Sequence, residues 1–125
     1  MPIISAGTAA ACALALLCAG GPLPTPPESS LTLTLYTADG AARAAQLTCD
    51  PTAGTHPDAA EACAALEDAG GDFSRLPVTL QPCPMIYAPL RAEAHGRWQG
   101  EWVRFRAEYA NECVADAESG GVFAF

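Results

Sequence analysis

Ser30-Leu31-Thr32-Leu33-Thr34-Leu35-Tyr36 alternates apolar and polar residues from end to end and is rich in residues that favour extended backbone. Side chains along a strand point alternately to its two faces, so Leu31, Leu33 and Leu35 are predicted to share the face turned to the core. A strand with one apolar and one polar face belongs to an antiparallel sheet covered on one side. Ala38-Asp39-Gly40 supplies a turn after it, and a second strand is predicted across Ala41 to Cys49, with Ala45, Leu47 and Cys49 on one face. The two are expected to pair as a hairpin. Asp50 to His56, marked by Pro51 and Gly54, reads as a loop.

Working outward, the next segment carries the clearest helical pattern. Pro57 suits a first helical position, Asp58 and Glu61 sit well in a first turn, and Gly70-Gly71 supplies the stop. Ala59, Cys63 and Leu66 share a face at helical spacing, which turns Cys63 toward the strand that ends at Cys49. Phe73 and Leu76 are expected in the core. From Leu90 the pattern is β again: Leu90, Ala92 and Ala94 alternate with polar residues, His95-Gly96 is expected to turn, and Arg97 to Ala107 to return. That reading puts Val103 and Phe105 on one face and Trp98 and Trp102 on the other. A short helix is expected over Asn111 to Ala117, ended by Gly120-Gly121, and Val122-Phe123-Ala124-Phe125 is expected to close the sheet as a final strand. The predicted architecture is α+β: an antiparallel sheet of about five strands, with one longer and one shorter helix on one face and two disulfides.

Toward the N-terminus, Ala9 to Ala19 is an unbroken apolar run, too short to cross a membrane and followed by small residues. It is read as the core of a secretory signal peptide spanning residues 1–20, although no Lys or Arg precedes it. Residues 21–29 read as a Pro-rich spacer, and residues 30–125 as the domain. A leader removed with Cys12 and Cys18 leaves Cys49, Cys63, Cys83 and Cys113, an even number that in a small secreted chain reads as a disulfide framework. Four cysteines allow three pairings, and nearness in sequence favours Cys49–Cys63 and Cys83–Cys113. Acids outnumber bases 14 to 6, a net charge of −8. That balance argues against nucleic acid and anionic membranes as partners, because both select basic surfaces.

Residues that carry chemistry are sparse. His56 and His95 are the only histidines and each is predicted in a turn, no glycine-rich phosphate loop precedes a helix, and no nucleophile motif is present. No enzymatic role, cofactor or metal is expected. The unusual feature is Pro82-Cys83-Pro84-Met85-Ile86-Tyr87-Ala88-Pro89, where three prolines exclude helix and sheet interior and push their preceding residues toward extended geometry. Met85 is the apolar tip of a stiff loop that Cys83 can anchor. A protease binds its substrate as an extended strand with one side chain in a specificity pocket, and an inhibitor can offer that strand already rigid. If the bond after Met85 is attacked, an anchored leaving segment lets religation compete with hydrolysis.

Together with this run, Gly54-Thr55-His56-Pro57, Gly70-Gly71-Asp72-Phe73, Trp98-Gln99-Gly100, Asn111-Glu112-Cys113 and the terminal Val122-Phe123-Ala124-Phe125 make the chain from Leu31 to Phe125 resemble the Streptomyces subtilisin inhibitor family. The resemblance implies a secreted, homodimeric, substrate-like inhibitor of subtilisin-like or chymotrypsin-like serine proteases. It implies disulfides Cys49–Cys63 and Cys83–Cys113, Met85–Ile86 as the reactive bond, Pro82, Cys83, Pro84, Tyr87 and Ala88 as protease-contacting residues, and Asn111 as the amide that holds the loop. Two positions depart from the pattern: Ala88 stands where the family usually has an acid, and Trp102 where it is commonly polar. Two other functions are open: a polysaccharide or cell-wall binding module using a Trp98/Trp102 face, and inhibition of an extracellular metalloprotease through the same loop.

Overall fold

The computed structural model describes residues 26–125. The expected leader and most of the expected spacer lie outside these residues. Five strands form one antiparallel sheet in the order β3-β2-β1-β4-β5. They are β1 (Ser29–Thr37), β2 (Ala42–Cys49), β3 (Ala53–Gly54), β4 (Leu90–Trp98) and β5 (Glu101–Tyr109), joined by helices α1 (Ala59–Asp68) and α2 (Glu112–Glu118). Among the described residues one 3-10 turn covers Phe73–Arg75.

The alternating stretch is the central strand. Leu31, Leu33 and Leu35 are each at most 1% exposed, and β1 is paired along both edges, Leu33 lying opposite Ala45 of β2 and Ala94 of β4. Burying a leucine side chain stabilises by about 1.5–3 kcal/mol, so three in a row make β1 the spine of the core. Above them pack Ala62, Cys63, Ala65 and Leu66 of α1, with Phe73, Leu76, Val122 and Phe123. Phe73 stacks on Phe105 at 5.4 Å between ring centroids, and Phe123 lies within 6.2 Å of both Phe105 and Tyr109. The disulfide Cys49–Cys63 ties the end of β2 to α1.

Four expectations about the elements and one about the tryptophans need correction. The loop after β2 contains a short edge strand, because Thr55 and His56 both donate their N–H groups to the carbonyl of Gln46, at 2.9 and 3.2 Å. The longer helix begins at Ala59 rather than at Pro57, which stands before the N-cap residue Asp58. The chain does not turn at His95-Gly96. β4 continues through both, and the hairpin closes at Gln99-Gly100, whose φ angles of 47° and 86° match the two-residue turns that suit a twisted hairpin. Gly96 serves a different need: a Cβ there would stand 2.2 Å from the carbonyl oxygen of Ser30 on the neighbouring strand. Finally, Val122–Phe125 forms no strand. Val122 and Phe123 plug the core through a turn, and the fifth strand is β3 instead.

The shifted hairpin also separates the two tryptophans. Residues directly opposite in an antiparallel pair share a face, and Trp98 lies opposite Glu101 whereas Trp102 lies opposite Arg97. Trp98 is therefore on the core side, 6% exposed against Gly71, and Trp102 stands 80% exposed on the other side.

Candidate functional site

Between Pro77 and Pro89 the chain has neither helix nor strand, yet it is tied down repeatedly to α2 and its approach. The N–H of Thr79 donates to the carbonyl of Ala117 at 2.7 Å, and that of Ala88 to the carbonyl of Ala110 at 2.9 Å. Between these points Cys83 is bonded to Cys113, with 5.6 Å between Cα atoms. In the chain-entropy account, closing a loop of this span stabilises by about 3.7 kcal/mol, against about 3 kcal/mol for the shorter loop of Cys49–Cys63.

Asn111 completes the support. Its backbone is extended, and its side-chain oxygen accepts the N–H of Val114 at 2.9 Å, which makes it the N-cap of α2. With Oδ1 committed to the helix, both hydrogens of Nδ2 face the loop. They are donated to the carbonyls of Pro84 at 3.2 Å and Ile86 at 2.7 Å. The residue is 7% exposed, so the amide end of each bond is shielded from water, and every polar atom of the amide is satisfied. The two carbonyls lie on either side of Met85, whose own carbonyl has no partner among the described residues.

Everything this frame holds, it holds outward. Met85 is fully exposed (104%), Tyr87 is 80% exposed and Ile86 59%. Among the described residues the N–H groups of Cys83, Met85, Ile86 and Tyr87 donate to nothing in the protein. An apolar side chain left wholly in water, beside unpaired backbone groups on a stiff segment, is suited to a partner that supplies both a pocket and a pairing edge.

Elsewhere the candidates resolve into structure. His56 is buried rather than set in a surface turn. Its Nδ1 accepts the N–H of Asp58 at 2.9 Å, so Nε2 carries the proton and donates to the carbonyl of Val122 at 2.9 Å. It clamps the entry of α1 to the C-terminal segment. His95 is exposed in the middle of β4. No group of three potential metal-ligating side chains occurs among the described residues, and none of their helices is long and apolar enough to cross a membrane. Arg43, on β2, was not singled out by its local pattern: its guanidinium donates to Glu112 Oε1 at 2.6 Å and to the carbonyl of Phe125 at 2.8 Å, seating the start of α2 beside Asn111. Trp98 and Trp102 cannot form a common platform from opposite faces of the sheet, which removes the polysaccharide reading.

The fold and this loop define a disulfide-stapled domain that displays an extended apolar peptide on a braced loop. The chain belongs to the subtilisin inhibitor-like family, whose model matches residues 27–111. It is 50% identical over 78 residues to a putative serine protease inhibitor of Streptomyces avermitilis, a match covering 62% of this chain and 53% of that one, so the chain spans about half the length of that relative. It is 44% identical over 105 residues to a subtilase-type protease inhibitor of Streptomyces fradiae (78% and 74% covered). It is also 44% identical over 104 residues to subtilisin inhibitor-like protein 7 of Streptomyces ambofaciens (78% and 95% covered). Among solved structures it is similar to Streptomyces caespitosus sermetstatin in its complex with Bacillus licheniformis subtilisin. That match has a TM-score of 0.61 and 30% identity, covering 78% of this chain and 98% of the other.

Proposed function

We infer that this protein is a substrate-like inhibitor of subtilisin-like serine endopeptidases, offering Met85–Ile86 as its reactive bond. The observation that carries the assignment of the bond is the grip of Asn111 on the carbonyls of Pro84 and Ile86, with Met85 free between them. An extended peptide whose ordering is complete before the encounter loses little entropy on binding. The enzyme's serine attacks the Met85 carbonyl, the only one of the three not held by Asn111 and therefore free to enter an oxyanion hole. Collapse of the tetrahedral intermediate gives an acyl-enzyme at Met85 and a new amine on Ile86. Because Asn111 retains Ile86 through its carbonyl, that amine stays within reach of the acyl carbon, and the bond reforms faster than water displaces the enzyme.

Met85 sets the choice of target. A long apolar side chain fits the pocket of subtilisin-type and chymotrypsin-like enzymes, whereas a trypsin-like pocket holds a carboxylate that methionine leaves unpaired. The same reading makes the protein secreted and homodimeric, with the exposed Trp102 on the outer sheet face as the surface a second copy would cover. No catalytic role is assigned to any residue.

Tight-binding titration of subtilisin with the purified protein tests this. The expected result is loss of activity in proportion to inhibitor added, with Met85→Lys moving inhibition to trypsin. Undiminished subtilisin activity at micromolar inhibitor would reject the function, and unchanged selectivity in Met85→Lys would reject the bond.

A further inference from the structure

Of the large apolar side chains that stand exposed among the described residues, Trp102 alone lies outside residues 78–87. Its surroundings on the outer face of the sheet are basic. Residues directly opposite on β4 and β5 share a face, and Arg91 faces Glu108 while Glu93 faces Arg106, so those two pairs balance. His95 faces Arg104 and Arg97 faces Trp102, so the end of the face next to the hairpin has no acid. Four arginines against two glutamates give the face a charge of +2. The rest of the chain, with Arg43 and Arg75 against twelve acids, carries −10, and the two together make the net −8. The overall balance that speaks against anionic partners is thus an average over unlike faces.

The charge at the hairpin end is also unpaired. Glu93 takes Arg91 at 2.8 Å and stands 3.9 Å from Arg106, whereas among the described residues neither Arg97 nor Arg104 has a carboxylate partner. Arg97 lies over the ring of Trp102, its guanidinium carbon 5.3 Å from the ring centre, so a cation and an exposed indole stand side by side. The neighbouring strands β1 and β2 add Thr32, Thr34, Tyr36 and Gln46 to the same face and no acid. A second copy laid here through a twofold axis would bring the same surplus of arginine and nothing to neutralise it. What complements the surface is a partner with negative charge and flat aromatic groups. At about 0.15 M salt, exposed charges are screened beyond roughly 8 Å, so the local patch and not the distant acids decides the contact.

We propose that this end of the outer sheet face is a docking surface for single-stranded nucleic acid, with phosphates on Arg97, Arg104 and Arg106 and a base on Trp102. Arg104 and Arg106 are two residues apart on one strand, about 6.8 Å, a spacing that successive phosphates of an extended chain can follow. All six basic residues of the chain are arginines, whose planar guanidinium takes phosphate oxygens in pairs. Stacking on an aromatic ring tolerates any base, so the surface reads backbone and stack rather than base order. None of these residues belongs to the reactive loop or its support, and the proposal goes beyond the inhibitory reading without resting on it. Trp102 is also the side chain that a second copy would cover. The nucleic acid and the second copy therefore exclude one another, and binding releases monomer.

The test is fluorescence anisotropy of a labelled single-stranded thymidine oligomer of about sixteen nucleotides, the upper end of such sites, titrated with the purified protein. Inorganic polyphosphate serves as competitor, and sedimentation and thermal midpoint accompany each variant. Two or three neutralised phosphates predict a dissociation constant that rises about five- to tenfold between about 0.1 M and about 0.3 M salt. Arg97→Gln combined with Arg104→Gln should weaken binding about tenfold or more, and Trp102→Ala about fivefold or more, while Arg75→Gln, which removes an arginine from another surface, should leave it within about twofold. Thermal midpoint and inhibition of subtilisin should not change, since these side chains lie outside the core and the loop. Absence of saturable binding at about 100 µM protein, the weak end of non-specific association, overturns the proposal. So does binding that survives the double arginine change. Full competition by polyphosphate with Trp102→Ala unaffected overturns it by giving the face to a phosphate chain without bases. Conversion of dimer to monomer in Trp102→Ala, with oligomer binding unaltered, overturns it by giving the face to a second copy. Each of these outcomes leaves inhibition of subtilisin standing.

Discussion

Asn111 combines two tasks that the chemistry of its amide can divide. The oxygen caps α2 and the nitrogen holds the loop, so an aspartate there keeps the cap and loses both donors. Asn111→Asp also sets a negative charge against two carbonyl oxygens. It is expected to fold with a thermal midpoint near that of the parent while its Met85–Ile86 bond is hydrolysed at least tenfold faster on long incubation with subtilisin. Asn111→Ala should lose the cap as well, at a cost of about 1 kcal/mol of stability. Equal hydrolysis in parent and Asn111→Asp would show that the amide does not preserve the bond. Met85 could be singled out from its neighbours alone, because prolines on both sides limit what the backbone can do. The role of Asn111 could not, since its partners lie 25 and 27 residues away and no local period links them. It entered only through resemblance. Arg43 had no local signal either, since its partners lie 69 and 82 residues away.

At the level of elements, strands with a strict alternation were legible and their ends were not. β1, β2 and the first half of β4 follow their patterns because each buries one face. The misplaced turn came from treating Gly96 as a chain reversal when its lack of a side chain answers the close approach of β1. The terminal Val122-Phe123 was apolar enough for a strand, but Gly120 and Gly121 bring it in over the sheet rather than beside it. Turns of this kind carry a pH dependence. The carboxyl of Asp39 is held below the usual carboxylate range by the Thr37 hydroxyl and the Ala41 N–H, and that of Asp72 by the hydroxyl and N–H of Ser74. A lowered folded-state pKa means fewer protons bound in the folded than in the unfolded protein. The stability it contributes is therefore full above the usual carboxylate range, near pH 4, and is lost as pH falls through the lowered values. Thermal midpoints measured from pH 6 to pH 2 should decline less steeply below about pH 4 in an Asp39→Asn, Asp72→Asn double variant. Parallel curves for parent and variant would dismiss both turns as contributors.

For the molecule as a whole, composition and hydrophobic period were enough to reach a small α+β domain with crosslinks, but not the strand order. β1 pairs with β4 across more than fifty intervening residues, and nothing local announces that neighbour. The crosslinks have a topological side. Cys83 and Cys113 lie thirty residues apart and the Met85–Ile86 bond falls between them. A molecule nicked at that bond remains one covalent piece, heavier than the intact chain by a single water, and migrates undivided until it is reduced. Mass spectrometry and paired gels of inhibitor recovered from subtilisin should show the two segments, one ending at Met85 and one beginning at Ile86, only after reduction. Two separate pieces under non-reducing conditions would put the cut outside that ring. On the proposed reading the spent inhibitor keeps all its parts, and the nick is repairable by the enzyme that made it.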